Sequence, residues 1–350
     1  MSQKIFVGMS GGVDSSLAAA LLKRQGYDVT GVFMKNWTRD LPGFVCGWET
    51  DYKDAKTVAV QLDIPLLTLD FERQYRSKVV DYMLEGYKRG LTPNPDIMCN
   101  QEVKFKLFLD TSLSMGADLI ATGHYARVTN AQLLTASDES KDQSYFLYRI
   151  SNTALKSTLF PLGGMKKTQV RIEADKLGLA TANKPDSQGI CFVGEVGIKQ
   201  FILSELGPQP AGDIIDQNGQ KVGSHDGAIF YTVGQRHGLN VGGGLPFYVT
   251  HKDMKHNRVY VTTDLNDPKL WSKHIKLTLT HWINDPPKPN ADYLVKCRYR
   301  SAPNKCRVRI KSDTAELELY EEVRAVTPGQ SAVIYDQDIC LGGGIIQSAV

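Results

Sequence analysis

The sequence predicts a chain in three parts: an α/β domain on a parallel sheet, a small β-rich middle domain, and a C-terminal β-barrel. Three observations predict it. Through the first hundred-odd residues, short apolar runs alternate with helical periodicities, as in a parallel sheet covered on both faces. Near Gly207-Pro208-Gln209-Pro210 the style changes to short β segments. Past the proline-rich Asp285 to Pro289, evenly spaced strands of alternating character suggest a small barrel. The expected divisions are 1–206, 207–268 and 269–350.

Ile5-Phe6-Val7 reads as the first strand, Ser10-Gly11-Gly12-Val13-Asp14-Ser15-Ser16 as a tight turn, and Leu17 to Leu22 as a helix. Adjacent glycines let backbone approach a ligand closely. The first N–H groups of the helix have no partner within it, and with the helix dipole they form an anion site. Ser10, Ser15 and Ser16 add hydroxyls there. An ordinary turn before a helix would use the same residue types. A Walker A loop is excluded because no Gly-Lys-Ser/Thr follows, and Gly-x-Gly-x-x-Gly is absent.

Strand expectations follow at Asp28–Phe33, Ile64–Leu69 and Leu119-Ile120-Ala121. Ala55, Val58, Ala59 and Leu62 mark one amphipathic helix, and Val79, Val80, Met83, Leu84 and Tyr87 another. Ligands in such sheets bind beyond the carboxyl ends of the strands. That places Met34 and Gly123-His124 near the Ser10 turn. Met34 is either core or a surface for an adenine ring. Gly123 either eases a turn or lets backbone meet a nucleotide.

Gly90 to Asn100 is a loop stiffened by Pro93 and Pro95, with a helix expected from about Gln101. Cys99 would stand just before that helix, where a thiol pKa falls; a small packing residue is the alternative. A hairpin is expected around Asn130, a helix opening at Lys141, and another over Thr168–Leu177. The polar loop Lys184 to Phe192 carries a second cysteine, Cys191. Ala228–Tyr231 and Phe247–Val249 read as strands of the middle domain. The barrel strands are read as Tyr293–Tyr299, Cys306–Ile310, Glu316–Tyr320 and Ala332–Tyr335.

Composition is that of a soluble globular protein, and no apolar stretch reaches the ~20 residues of a membrane helix. Met1 to Lys4 lacks a signal-peptide core, so a cytoplasmic location without membrane contact is expected. Six cysteines, with no Cys-x-x-Cys, do not read as a disulfide framework. A formal charge of +3 argues little for a nucleic-acid partner. The case is local: Cys297 to Lys311 holds six basic residues and no acidic one, with Arg307, Arg309 and Lys311 on one strand face. Arginines beside Tyr299 suit phosphate pairing and base stacking; a solvated edge strand is the alternative.

The motif S-G-G-V-D-S resembles the pyrophosphate loop of ATP pyrophosphatases. Together with N-P-D-x-x-C-N, G-H-Y-A-R, K-D-Q-S-Y-F-L, K-P-D-S-Q-G-I-C-F, T-V-G-Q-R-x-G-L and the late C-L-G-G-G, it resembles the tRNA-specific 2-thiouridylases, the bacterial MnmA family. The resemblance implies a Rossmann-like pyrophosphatase-type (adenine nucleotide α-hydrolase-like) domain followed by a small central domain and a β-barrel. It implies ATP as cosubstrate, accompanied by Mg²⁺, with no permanently bound cofactor and no resident metal. Gly8, Met9, Ser10, Gly11, Gly12, Val13, Asp14, Ser15, Met34 and Gly123 would bind ATP. Asn94, Pro95 and Asp96 would meet the target base. Cys99 would be the nucleophile, Cys191 the persulfide carrier, and Asp96 an acid or base. His124, Lys141, Asp142, Gln143, Arg298, Tyr299, Arg300 and Gln330 would touch tRNA.

The implied reaction replaces O2 of the wobble uridine in glutamate, glutamine and lysine tRNAs with sulfur, ending in a Cys99–Cys191 disulfide. A cysteine desulfurase, directly or through a relay, would supply the sulfur. Rival readings are an ammonia-using amide synthetase of the same ATP chemistry, a non-catalytic nucleotide-binding protein, and an iron–sulfur site built from Asp96, Cys99 and Cys191.

Overall fold

A computed structural model describes residues 2–40, 45–186, 197–239, 241–242 and 244–350. Cys191 lies outside the described residues. Strands β1 (Lys4–Gly8), β2 (Asp28–Lys35), β3 (Leu66–Asp70), β4 (Leu119–Ala121) and β7 (Thr158–Leu159) form a parallel sheet in the order β3-β2-β1-β4-β7. Ile5 pairs with Val29 on one side and with Leu119 on the other, so β1 is central. Its run Ile5-Phe6-Val7 is continuously apolar because both faces are covered. Ile5 and Val7 pack with helix α1 (Val13–Arg24), Ala55 and Val58 of α2 (Trp48–Gln61), and Val170 and Ala174. Phe6 faces the other way, into a core with Tyr75, Val79, Met83, Phe105 and Phe108. Burying each such large side chain stabilises by about 1.5–3 kcal/mol.

The helix carrying Cys99 starts earlier than the sequence predicts. Asn94 Oδ1 accepts hydrogen bonds from Asp96 N (3.1 Å) and Ile97 N (3.4 Å), and Pro95 fills the first helical position. The missing N–H of Pro95 is no loss there, so the proline starts the helix rather than stiffening a loop. Helix Pro95–Met98 continues into Cys99–Phe108, which is kinked at Phe105 (φ −103°, ψ 15°), and Leu109–Ser114 follows. The helix expected to open at Lys141 is confined to Ser144–Leu147.

Between β4 and β7 the chain makes a hairpin, β5 (Arg127–Thr129) and β6 (Gln132–Leu134). Its two turn residues, Asn130 and Ala131, both have positive φ (51° and 57°), as a two-residue hairpin of matching twist requires.

The middle domain is a four-stranded sheet, β10-β11-β8-β9, from β8 (Gly212–Ile215), β9 (Lys221–His225), β10 (Tyr248–Asp253) and β11 (Arg258–Thr262). Ala228–Phe230, predicted as strand, is a 3₁₀ turn whose Ala228 packs in that domain's core while Ile229 packs in the core that contains Phe6. The last domain contains β12 (Trp271–Trp282), β13 (Asp292–Lys296), β14 (Asn304–Lys311), β15 (Thr314–Arg324), β16 (Ser331–Asp336) and β17 (Ile339–Ala349). They pair antiparallel in the order β12-β15-β14-β13-β16-β17, and β17 pairs back to β12 to close the barrel.

Closure removes the edge-strand alternative for β14, which pairs with β13 and β15. Arg307, Arg309 and Lys311 do share its outer face. They lie opposite Glu318, Glu316 and Thr314 of β15, and Arg307 and Lys311 pair with Asp292 and Glu316. The run looks basic in sequence because the opposing acids sit on neighbouring strands.

The hairpin of the first domain extends the barrel: Leu133 pairs with Cys340 and Leu134 with Ile339 of β17. Tyr145 Oη donates to Ser331 O (2.9 Å), and Tyr148 Oη meets Ser331 Oγ at 3.0 Å. Barrel and α/β domain therefore meet along the edge of the site.

Candidate active site

The turn after β1 takes its form from contacts that only glycine allows. Gly11 has φ +71°, and a Cβ there would lie 2.3 Å from Asp51 O at the start of α2. Gly12 is the N-cap of α1 and makes no side-chain cap bond. Ser15 Oγ accepts from Ser10 N (3.1 Å) and donates to Gly12 O (3.1 Å), and Ser16 Oγ also donates to Gly12 O (2.9 Å). The turn is braced from within while its helix N-terminus stays open to an anion.

Above it lies a cavity of 440 Å³. Its walls include Ser10, Gly12, Val13 and Asp14 from the turn, Asp96 from the Pro95 helix, Lys141 and Gln143, and Tyr299 and Arg300 from the barrel. Segments far apart in sequence thus meet at one opening. Tyr299 packs against Phe146 with ring centroids 4.3 Å apart, and the Arg300 guanidinium lies over Tyr299. An aromatic pair with a cation beside it suits a nucleobase next to a phosphate. Burial raises the Asp96 carboxyl above the ordinary aspartate range, against the lowering influence of Lys104. It thereby approaches the range useful for proton transfer.

A smaller cavity of 150 Å³ contains Ser10, Phe33, Met34, Asn36, Trp37, Trp48 and Cys46. Ser10 borders both spaces, so an adenine beside Met34 and phosphates at α1 fit one ligand. Cys46, assigned no role from its sequence context, also lines this pocket.

Other expected residues stand behind the walls. Gly123 approaches the turn itself: a Cβ there would be 2.7 Å from Asp14 C and Ser15 N. The His124 ring packs between Phe105 and Phe160 and reaches Thr122 Oγ1 (2.8 Å) and Lys104 Nζ (3.4 Å). Burial, then the Lys104 charge, lowers its pKa well below the usual value, leaving it neutral. Asp142, expected at tRNA, is 4 % exposed. It accepts from Ala136 N and Ser144 and pairs with Lys296 at 3.3 Å. Arg298 Nη2 donates to Val233 O, Ala325 O and Thr327 Oγ1, joining the middle domain to the barrel. Gln330 Nε2 donates to Thr92 O (2.7 Å), fixing the strap before Asn94. Gln143, by contrast a wall residue, accepts at Oε1 from Tyr125 N (2.9 Å).

Cys99 is 5 % exposed and follows Asp96 by three residues, one helical turn, on the same helix face. It lies one position past the first turn of the Pro95 helix, where the end-dipole effect has decayed. The thiolate argument from a helix N-terminus therefore does not hold at this position. The Cys191 expectation falls outside the described residues.

The sequence did not single out Lys167, Tyr125 or Asp186. Lys167 Nζ binds both oxygens of Asp14 (2.7 and 2.8 Å) and lies 2.9 Å from Asp186. Tyr125 Oη donates to Asp14 at 2.7 Å. Asp186 also receives Lys141 (2.8 Å) and Arg171 (2.6 Å). Its burial opposes ionisation, but the bonds from Lys141 and Lys167 outweigh that and hold its pKa below the ordinary value. Tyr125 and Asp186 lie within the motifs G-H-Y-A-R and K-P-D-S-Q-G-I-C-F, which do not distinguish these side chains from their neighbours, and Lys167 lies in no such motif.

Three family models match the chain in succession: "tRNA methyl transferase HUP domain" over residues 3–195, "tRNA methyl transferase PRC-barrel domain" over 199–263, and "Aminomethyltransferase beta-barrel domain" over 272–346. The chain is 49% identical to a tRNA-specific 2-thiouridylase MnmA of Listeria innocua, over 99% of this chain and 95% of that protein. It is 46% identical to the one of Enterococcus faecalis, over 99% and 96%. A solved 4-thiouridine synthetase–RNA complex with bound ATP is a distant likeness, at 20% identity and a TM-score of 0.37, covering 55% of this chain and 45% of that one. At such identity to relatives along nearly its whole length, the chain belongs to the MnmA family of tRNA-specific 2-thiouridylases.

Proposed function

We propose that this chain uses ATP to replace O2 of a uridine in tRNA with sulfur, the wobble uridine of glutamate, glutamine and lysine tRNAs being the target. The observation that carries the reading is the shared 440 Å³ cavity, where the glycine turn meets Asp96 and the Tyr299–Arg300 pair. The open helix end after the glycine turn and an aromatic and cationic wall border one space.

The C2 oxygen of uracil is a poor leaving group. Its attack on the α-phosphate of ATP would release pyrophosphate and leave AMP on O2. Pyrophosphate departs from the open N-terminus of α1, whose partial positive charge favours the developing anion. Mg²⁺ enters with ATP as the substrate complex. Among the described residues, no group of three or more His, Cys, Asp or Glu is placed to hold a metal without it.

In this reading the terminal sulfur of a Cys191 persulfide attacks C2, AMP leaves, and Cys99 attacks Cys191 Sγ. That frees 2-thiouridine and forms a Cys99–Cys191 disulfide, which an external thiol opens by exchange. In the alternative order Cys99 first releases hydrosulfide, which attacks C2. A uridine stacked in an anticodon loop must be turned outward to reach either sulfur. Tyr299 and Phe146 offer it a surface to stack on.

The test is nucleoside analysis of unmodified tRNA incubated with the protein, MgATP and a persulfide donor. 2-Thiouridine is expected with wild type and none with Cys99→Ser or Cys191→Ser, while tRNA affinity changes less than about twofold. Normal product from either serine variant would overturn the cysteine roles. Pyrophosphate release stimulated by a small acid with ammonia, instead of by tRNA, would favour the amide-synthetase reading.

A further inference from the structure

The geometry points to Lys167 as a catalytic residue of the ATP half-reaction: held between Asp14 and Asp186, its ammonium would turn one N–H to the departing pyrophosphate and offset its charge. This inference rests on the ATP-cleaving part of the proposed function and not on its sulfur chemistry.

Lys167 opens the helix Lys167–Lys176, and its backbone N–H is held by Asp138 Oδ2 at 2.8 Å. Its side chain is 12% exposed and forms part of the cavity wall beside Ser10, Gly12 and Asp14. The ammonium is fixed by three oxygens of two carboxylates, with the Tyr125 ring beneath it at 5.7 Å. Asp14 is itself fixed by Tyr125 Oη, so the position is set in advance. Asp14 sits in the first turn of α1. A lysine anchored there stands at the rim of the anion cradle.

A structural ion pair is the competing explanation, since a largely buried lysine held between carboxylates is a known structural arrangement. Two features go beyond it. Asp186 does not need Lys167 as a counter-ion, because Lys141 and Arg171 already pair with it. The ammonium also borders open space at a helix end that has no side-chain cap. A purely structural bridge has no reason to face the anion site.

The chemistry balances without proton transfer. The uridine O2–P bond forms, the bond from the α-phosphorus to the bridging oxygen breaks, and its electron pair goes to pyrophosphate. Lys167 donates a hydrogen bond to that product while Asp14 and Asp186 keep the other protons of the ammonium oriented. A donor fixed where charge develops costs no reorganisation during the step.

The experiment compares wild type with Lys167→Met and Lys167→Arg by tRNA-stimulated pyrophosphate release and by product inhibition with added pyrophosphate and added AMP. Loss of one preorganised donor is worth about 10²–10³ in kcat. Lys167→Met is expected to lower kcat by at least ~100-fold and to raise the inhibition constant of pyrophosphate at least ~10-fold. The AMP constant and tRNA affinity should stay within about twofold. Lys167→Arg keeps the charge pair and so serves if the methionine variant does not fold; a loss of roughly tenfold with the same pyrophosphate-selective signature is expected. A release rate within threefold of wild type, or equal weakening of pyrophosphate and AMP, overturns the role. If both variants behave as expected and no 2-thiouridine forms with wild type, the sulfur reading fails and the lysine assignment stands.

Discussion

Asp96 shows how a single residue divides between sequence and structure. The sequence marked it by its place in N-P-D-x-x-C-N. Its altered acidity comes from burial, since the folded chain raises its pKa with Lys104 in partial opposition. A carboxyl with a raised folded pKa favours the folded state only while it is protonated, below the ordinary aspartate pKa. That contribution is lost as pH rises through the folded value. Asp96→Asn should therefore raise the melting temperature at pH 7, and the gain should vanish near pH 3.5, while thiolation falls. Equal melting temperatures at both pH values would contradict the burial argument. Lys167 was illegible for a different reason. It stands 153 residues from Asp14, beside a second lysine, and nothing local separates the two. Glycines were more legible, because Gly11 and Gly12 lie in a pattern with few local conformations, although the contact of Gly11 with Asp51 O belongs to the fold.

At the scale of elements, the Arg298–Arg300 stretch separates two roles that composition merges. Arg298 binds carbonyls of the middle domain and barrel, whereas Arg300 faces the cavity beside Tyr299. Arg300→Ala should weaken tRNA binding and reduce the slope of log affinity against log salt by about 0.7–0.9, one phosphate contact. Arg298→Ala should leave that slope unchanged and lower thermal stability. A salt titration with parallel calorimetry distinguishes them, and the reverse pattern would refute both assignments. The Pro95 helix teaches a related lesson. Two prolines suggested a loop up to about Gln101, yet an asparagine cap followed by proline is also a helix start. The cap bonds decide between them, and they shift Cys99 from helix end to helix interior.

Across the whole molecule, the site is completed by the docking of barrel on α/β domain. Leu133 is fully buried at that seam, opposite Cys340, and Gln330 fastens the strap at Thr92. Leu133→Ala should cost about 2–5 kcal/mol. It should also split a joint thermal transition in calorimetry into separate α/β and barrel transitions, with Arg300 no longer held at the cavity. A single transition displaced intact would show that the hairpin does not couple the domains.

The sequence by itself determined the alternating α/β plan, the glycine turn at the first strand end, the β character of the later domains, and the motifs that tie the chain to its family. These are local matters: periodicity, turn chemistry and backbone freedom act over a few residues. Tertiary structure decided which charges face the cavity and which are neutralised, that Asp142 is interior, that the β14 cations meet acids on β15, and that Lys167 stands between Asp14 and Asp186. Burial and ion pairing depend on what packs alongside a residue, and Asp14 meets its partners Lys167 and Tyr125 from more than a hundred positions away.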